Sequence, residues 1–268
     1  MVDVLRRHNV TVGGCGHKAL LLGHGFGTDQ RAWRRIRPWA ERHFLTIGFD
    51  FAGSGGEGSG YDGFRHGSLA GFAEDLLAIL DAFGIERCAY VGHGSGAMAG
   101  VLAGVLEPKR FERMVLLAPT ACGVDRGRYR SGIDAVTMRR MIACMTINYA
   151  AWSREFAALA MDAPPASPET AEVASCLAAV RPDVAFRLAA MAFQSDLRGW
   201  IDDFEVPAVL VHGEGDPLVP PEAAEHLRGL WPFAECEVLA VSSHLPQLTA
   251  PDLVIGVLAK HLKDVARA

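Results

Sequence analysis

Three parts of this chain have the residue types and the order that nucleophilic acyl transfer requires. Gly92-His93-Gly94-Ser95-Gly96 is a glycine-rich turn between an apolar run and an Ala-rich segment, Asp216 follows a later apolar run, and His244 follows the last one. A nucleophile, a histidine base and a carboxylate that orients the histidine form such a catalytic set. A G-x-S-x-G turn between a strand and a helix carries the nucleophilic serine at its third position.

The serine of this turn is displaced by one residue. The third position is Gly94, and Ser95 follows it. Each helical residue is rotated by about 100° from its neighbour, so the hydroxyl of Ser95 is expected to point away from His244, beyond the reach of roughly 2.6–3.2 Å that proton transfer needs. Gly94 has no Cβ and adopts the strained apex at little cost. The sequence therefore predicts a turn that keeps its shape without a nucleophile.

Apolar runs that alternate with helical patterns must position these residues. The predicted strands are residues 19–22, 44–51, 88–91, 114–118, 208–211 and 236–241, and the predicted helices include 69–83, 222–230 and 251–262. Strands that are apolar almost throughout and alternate with helices predict a mostly parallel, doubly wound α/β sheet covered on both faces. Asp216 and His244 follow strands, at the edge of a parallel sheet where ligands bind.

The middle of the chain has a different sequence pattern. From residue 123 to residue 197, strand-like runs are replaced by Ala-, Met- and Arg-rich segments broken by prolines. We interpret this part as three or four helices that form a lid. Residues 1–122 and 198–268 are then the two parts of one core domain.

Composition excludes several classes of function. The 268-residue chain has a formal net charge of −5, which gives no electrostatic reason to bind nucleic acid or an acidic membrane. Its six cysteines are scattered without a C-x-x-C pair, which favours a reducing compartment over a disulfide framework or a zinc site. No signal-peptide pattern and no apolar window of membrane-spanning length is present. We expect a cytoplasmic or nuclear protein without metal or cofactor.

Five segments resemble one known family. They are residues 23–30 (GHGFGTDQ), 90–93 (YVGH), 97–98 (AM), 191–196 (MAFQSD) and 244–251 (HLPQLTAP). Together they resemble the plant strigolactone and karrikin receptors and their bacterial relative RsbQ, which are α/β hydrolases. The likeness is nearer to the karrikin-receptor branch than to RsbQ.

The resemblance implies an α/β-hydrolase fold with a helical lid over an apolar pocket for butenolide-type molecules. It also implies slow serine hydrolysis and signalling to an F-box protein and a repressor. Asp216 and His244 would be members of the triad, and Phe26 and Ser95 would donate their backbone N–H groups to an oxyanion. The implied ligand-binding residues are His93, Trp152, Phe156 and Phe193, and we add Leu218 and Val219, which follow Asp216. The chain departs from the family at Gly94, where the family has serine, at Ser243, where it has glycine, and near Cys122, where it has an aromatic residue.

The predicted function is receptor-like binding of a small lactone, with absent or weak hydrolysis because Gly94 replaces the serine. The alternative is an ester or lactone hydrolase in which Ser95 attacks after local rearrangement, or in which His244, oriented by Asp216, activates water. A remote alternative is a dinucleotide-binding protein, because Gly92, Gly94 and Ala97 fit a G-x-G-x-x-A pattern between a strand and a helix.

Overall fold

Short runs of apolar residues form a central sheet. A computed structural model describes residues 2–55 and 60–267, and within them the sheet has seven strands. The strands are β1 (Thr11–Gly13), β2 (Ala19–Gly23), β3 (Leu45–Gly48), β4 (Cys88–His93), β5 (Phe111–Leu117), β6 (Ala208–Gly213) and β7 (Glu235–Leu239). Strands β2, β4 and β6 are buried along their whole length, as expected for strands covered on both faces.

The strand order is β1-β3-β2-β4-β5-β6-β7, and all neighbouring pairs are parallel except the antiparallel pair of β1 and β3. This arrangement confirms the predicted α/β-hydrolase fold class with a mostly parallel, doubly wound sheet. Because β2 and β4 are neighbours, the loop after β2 and the turn after β4 meet at the carboxyl edge of the sheet.

Helices cover both faces of this sheet. The core helices are α1 (Val2–Arg7), α2 (Arg37–His43), α3 (Leu69–Ala82), α4 (Ser95–Leu106), α9 (Pro221–Leu230), α10 (Pro246–Thr249) and α11 (Pro251–Arg267). Four further helices lie between β5 and β6: α5 (Ala135–Ile147), α6 (Tyr149–Met161), α7 (Pro168–Ala179) and α8 (Pro182–Gln194). One apolar layer joins α3 and α4 to α6–α8, and a second joins the opposite sheet face to α11. No helix in the described part of the chain combines the length and the apolar character needed to cross a bilayer.

Several predicted boundaries were wrong. β3 ends at Gly48 rather than at residue 51, because Phe49 and Phe51 continue as buried loop. The last helix extends to Arg267, five residues beyond the prediction, since apolar residues such as Val265 still face the core. The short helix α1 and the edge strand β1 were not predicted.

The four inserted helices, α5–α8, lie in the segment predicted to be a lid. Their starts follow local rules: Asp134 and Asn148 cap α5 and α6 with their side chains, and α7 and α8 begin with proline. On α7, Glu172 and Glu169 form ion pairs of 2.7 and 2.6 Å with Arg34 and Arg35 of the core. These contacts fix α7 against the segment that follows β2. The division of the chain at residues 122 and 197 remains a prediction.

Candidate active site

The turn after β4 has the shape that places a side chain above the sheet. Gly94 lies between β4 and α4 with φ 53° and ψ −120°, and its N–H donates a 2.9 Å hydrogen bond to the carbonyl of Leu117. A positive φ of this kind is strained for any residue with a Cβ. The backbone of Gly94 thus has the conformation that the sequence predicted for the apex of the turn.

The three glycines of this turn have different surroundings. A Cβ on Gly92 would lie 2.7 Å from the Cα of Ala97, and a Cβ on Gly96 would overlap the carbonyl oxygen of His24. A Cβ on Gly94 would meet only His244 Nε2 at 3.7 Å and the Cα of Gly25 at 4.0 Å, which are ordinary contact distances. Packing therefore requires glycine at the two outer positions, whereas the apex has room for a side chain.

His244 and Asp216 form a hydrogen-bonded pair beside this apex. His244 Nδ1 lies 2.8 and 3.1 Å from the two carboxylate oxygens of Asp216, so the Nδ1–H donates to that carboxylate. Asp216 Oδ1 also accepts the N–H groups of Leu218 and Val219 at 2.8 and 3.0 Å. With Nδ1 used in this way, Nε2 is left to act as a base toward the space in front of Gly94.

The environment of Asp216 favours its charged form. Burial alone would raise the pKa of this carboxyl, but the adjacent His244 and the hydrogen bonds from His244, Val219 and Leu218 outweigh burial and hold the pKa below its usual value. Asp216 is therefore an anion at neutral pH, fixed in place by backbone donors. It can orient His244 and stabilise a positive charge on its ring.

His93 holds the backbone of His244 in place through a hydrogen bond. Its Nε2 lies 2.8 Å from the carbonyl oxygen of His244, so this nitrogen carries the proton and donates, and the two rings are 4.8 Å apart. Burial, with a smaller effect of His244, lowers the pKa of His93 to about 3. His93 was predicted as a ligand-binding residue; it borders the cavity, and its hydrogen bond makes it a positioning residue for the His244 backbone.

A contact with α6 holds the same loop and was not predicted. The N–H of His244 donates a 2.8 Å hydrogen bond to the carbonyl of Ala160, near the end of α6. The hydroxyl of Ser243, which stands where the resembling family has glycine, accepts the N–H of Leu245 at 3.0 Å and lies 3.4 Å from the same carbonyl. Because the partners are about eighty residues apart in sequence, no local pattern signals this link between His244 and the inserted helices.

The loop after β2 brings Phe26 to the other side of the apex. The carbonyl of Gly25 accepts the N–H and the hydroxyl of Thr28, which closes a tight turn, and Gly27 has φ 78°. The ring of Phe26 packs 5.9 Å from Phe156 of α6. No hydrogen bond from the backbone N–H of Phe26 or of Ser95 is found among the described residues. Both N–H groups are thus available for a ligand oxygen, as expected of oxyanion donors.

A cavity of about 140 Å³ opens in front of these groups. It is bordered by core residues and by all of α5–α8, and its wall is mainly apolar. Among its lining residues are Phe26, His93, Gly94, Ser95, Met98, Ile133, Met141, Trp152, Phe156, Val173, Phe193, Leu218, Val219 and His244. Every residue predicted to bind ligand is in this set, and Asp216 lies behind His244. Cys122 is buried but does not line the cavity.

Ser95 is not arranged as a nucleophile. It is the first residue of α4 and lines the cavity, yet no hydrogen bond joins its hydroxyl to His244 in the described part of the chain. The side chain that does point at His244 Nε2 would be one attached at position 94. As far as the described residues show, the site therefore contains a base, its carboxylate and two N–H groups without partners, and no alcohol at the attacking position. Residues 2–55 and 60–267 contain no cluster of His, Cys, Asp or Glu suited to a metal ion.

The fold and this arrangement define the class of protein. Residues 20–257 match the model of the alpha/beta hydrolase family. A hydrolase from Oleispira antarctica has the same fold with a TM-score of 0.93 and 28% sequence identity, covering 98% of this chain and 97% of that one. This chain belongs to the α/β hydrolase family.

Curated relatives place the chain more narrowly. It is 35% identical to the Karrikin insensitive 2 receptor CA of Petunia hybrida over 97% of both chains. It is also 35% identical to the Strigolactone esterase D14 of Arabidopsis thaliana, covering 97% of this chain and 98% of the relative. Within the α/β hydrolases, the protein belongs with the karrikin and strigolactone receptors, which confirms the predicted resemblance.

Proposed function

We propose that this protein binds a small, largely apolar lactone of the butenolide type in the cavity beside His244, with absent or weak hydrolysis. The observation that carries the proposal is Gly94, which leaves His244 Nε2 without an alcohol to activate. The relatives support the ligand class, because one is named as a karrikin receptor and another as a strigolactone esterase.

The cavity supports a ligand with one polar end and an apolar body. His244, Phe26 and Ser95 line the cavity and supply its polar groups, and the stacked rings of Trp152 and Phe156, with centroids 4.9 Å apart, form part of the apolar wall. An apolar cavity of roughly 150 Å³ is large enough for benzene, so the cavity of about 140 Å³ is suited to a small ring-containing ligand.

The second candidate function is slow hydrolysis by activated water. It is favoured by the intact pair of His244 and Asp216, because Nε2 can take a proton from a water molecule in front of Gly94. The resulting hydroxide would add to the lactone carbonyl carbon, and the N–H groups of Phe26 and Ser95 would stabilise the oxyanion. Collapse of this intermediate would break the ring C–O bond, and the proton taken up by His244 Nε2 would pass to the departing alkoxide oxygen. Without a positioned alcohol, this route is expected to be slow.

Signalling belongs to the same proposal. Since the relatives include proteins named as receptors, we infer that ligand binding is communicated to a protein partner, with an F-box protein and a repressor as the first partners to test. Such partners would meet this protein in the cytoplasm or the nucleus.

Calorimetry with the butenolide 4-phenyl-2(5H)-furanone tests the proposal, together with chromatography of its ring-opened acid. We expect one saturable site and ring opening no faster than with His244→Ala. Phe156→Ala, in the cavity wall, should weaken binding at least tenfold, whereas Phe233→Ala, 96% exposed and outside the cavity, should not change it. Repeated turnovers that His244→Ala abolishes would favour the hydrolase, and absence of binding would overturn the proposal.

A further inference from the structure

Hydrogen-bond donors surround the space in front of Gly94. Phe26 and Ser95 line this cavity, and among the described residues their backbone N–H groups have no hydrogen-bond partner. Ser95 is also the first residue of the twelve-residue helix α4, whose N-terminal end carries partial positive charge. His244 Nε2 faces the same space and becomes a donor when the ring takes up a proton. Among residues 2–55 and 60–267, the titratable side chains that contact His244 are Asp216, which is already paired with it, and His93, which is buried and neutral.

A neutral lactone can accept hydrogen bonds from only some of these donors. Its carbonyl oxygen can accept the two N–H groups, but no second strong acceptor on the same carbon reaches His244 Nε2. A buried polar group left without a partner is unfavourable, because it has given up its hydrogen bonds to water. A carboxylate differs because it carries two oxygens on one carbon, both strong acceptors.

Gly94 makes the second oxygen position available. A serine at position 94 would fill the space between the turn and His244 Nε2 with its own hydroxyl, because its Cβ would already lie 3.7 Å from that nitrogen. With glycine, an oxygen of the ligand can occupy this position instead. The two oxygens of a carboxylate then correspond to the attacking oxygen and the oxyanion of an acyl-transfer intermediate.

We propose that the preferred ligand is a carboxylate, namely the hydroxy acid formed when the lactone ring takes up water. This inference rests on the proposed function, since it names the form of the ligand that the same cavity holds. One carboxylate oxygen accepts the N–H groups of Phe26 and Ser95, and the other accepts a proton-bearing Nε2 of His244. Asp216, 2.8 Å from Nδ1, stabilises the imidazolium. The protein need not open the ring itself.

Three matched probes test the carboxylate: dihydrocoumarin, its ring-opened form 3-(2-hydroxyphenyl)propanoate, and the neutral amide 3-(2-hydroxyphenyl)propanamide. Calorimetry at pH 7.5 should give an affinity for the acid at least tenfold higher than for the amide or the lactone.

Two glycine variants make the test specific to the apex. Gly94→Ala places a methyl group where the second oxygen binds, so affinity for the acid should fall at least tenfold, and by a larger factor than affinity for the lactone. Gly229→Ala, where a Cβ meets nothing within 4 Å, is the control and should change neither affinity.

The outcomes separate the two proposals. If the acid binds no more tightly than the amide while the lactone binds, the carboxylate inference is wrong and the proposed function stands. If none of the three probes binds, the carboxylate inference is wrong, and binding of 4-phenyl-2(5H)-furanone decides the proposed function separately. Should Gly94→Ala fail to fold, the comparison of acid and amide on the unmodified chain still decides.

Discussion

His244 Nε2 lies 3.7 Å from the point at which a Cβ on Gly94 would sit. At this distance the hydroxyl of a serine at position 94 would come within hydrogen-bonding reach of the imidazole. The base and its carboxylate are therefore aligned on a position that carries no side chain. The site thus has the histidine and the carboxylate needed for proton transfer, but it lacks the hydroxyl oxygen that would attack the substrate.

The first prediction concerns Ser95. Because its hydroxyl makes no hydrogen bond to His244 among the described residues and belongs to the first turn of α4, Ser95→Ala should leave any residual ester turnover within about twofold of the unmodified chain. The measurement is hydrolysis of p-nitrophenyl acetate, with His244→Ala as the control for turnover that does depend on the site. A loss of tenfold or more in Ser95→Ala alone would identify Ser95 as a nucleophile after all.

The second prediction compares two glycines of the same turn. Gly94→Ala introduces a Cβ at a positive φ but into free space, so it should cost roughly 1–2 kcal/mol of unfolding free energy. Gly96→Ala drives a Cβ into the carbonyl of His24 and should cost about 3 kcal/mol or more. Urea denaturation of both variants measures the difference. Equal losses of unfolding free energy in the two variants would mean that the surroundings of Gly94 are as crowded as those of Gly96.

The third prediction concerns His212, a buried histidine at the end of β6. Both of its ring nitrogens lack a hydrogen-bond partner in the described part of the chain, and burial lowers its pKa to about 4. Since this folded-state pKa is below the unfolded value of about 6.5, the neutral ring favours folding above pH 6.5, and this contribution is lost as the pH falls toward 4.

At pH 5 the loss attributed to His212 is about 2 kcal/mol relative to pH 7.5. Urea denaturation at both pH values should therefore show that the unfolding free energy decreases less between pH 7.5 and pH 5 for His212→Leu than for the unmodified chain. His17→Leu, at an exposed position, is the control and should keep the original decrease. If His212→Leu and the unmodified chain lose the same stability, His212 is not the source of the acid sensitivity.

Sequence reasoning succeeded where a local pattern carries the physical information. Continuous apolar runs predicted β2, β4 and β6 because both faces of those strands are buried. Glycine spacing predicted the turn at Gly94 because the backbone there needs a positive φ. The structure brings Asp216 and His244 together at the carboxyl edge of the sheet, where their positions after late strands had placed them.

Other features depend on partners far apart in sequence, and no local pattern indicates them. The unpredicted strand β1 is mostly exposed and has only three residues. The segment before it is held by His8, whose ring contacts the carbonyl of Asp50 at 3.0 Å and the carboxylate of Asp75 at 3.6 Å. The link from Ala160 to His244 is of the same kind. Such contacts become visible only after the chain has folded.

The most direct test of the account restores the missing hydroxyl. Initial rates of p-nitrophenyl ester hydrolysis are compared for the unmodified chain, Gly94→Ser and Gly94→Ala, and intact-protein mass spectrometry detects the acyl group. We predict that Gly94→Ser gains at least 10²-fold in rate, on the order of what a positioned nucleophile and base contribute, and forms an acyl-enzyme on residue 94. Gly94→Ala should gain nothing. Equal rates for the unmodified chain and Gly94→Ser, with Gly94→Ser correctly folded, would contradict the claim that one absent hydroxyl limits this site.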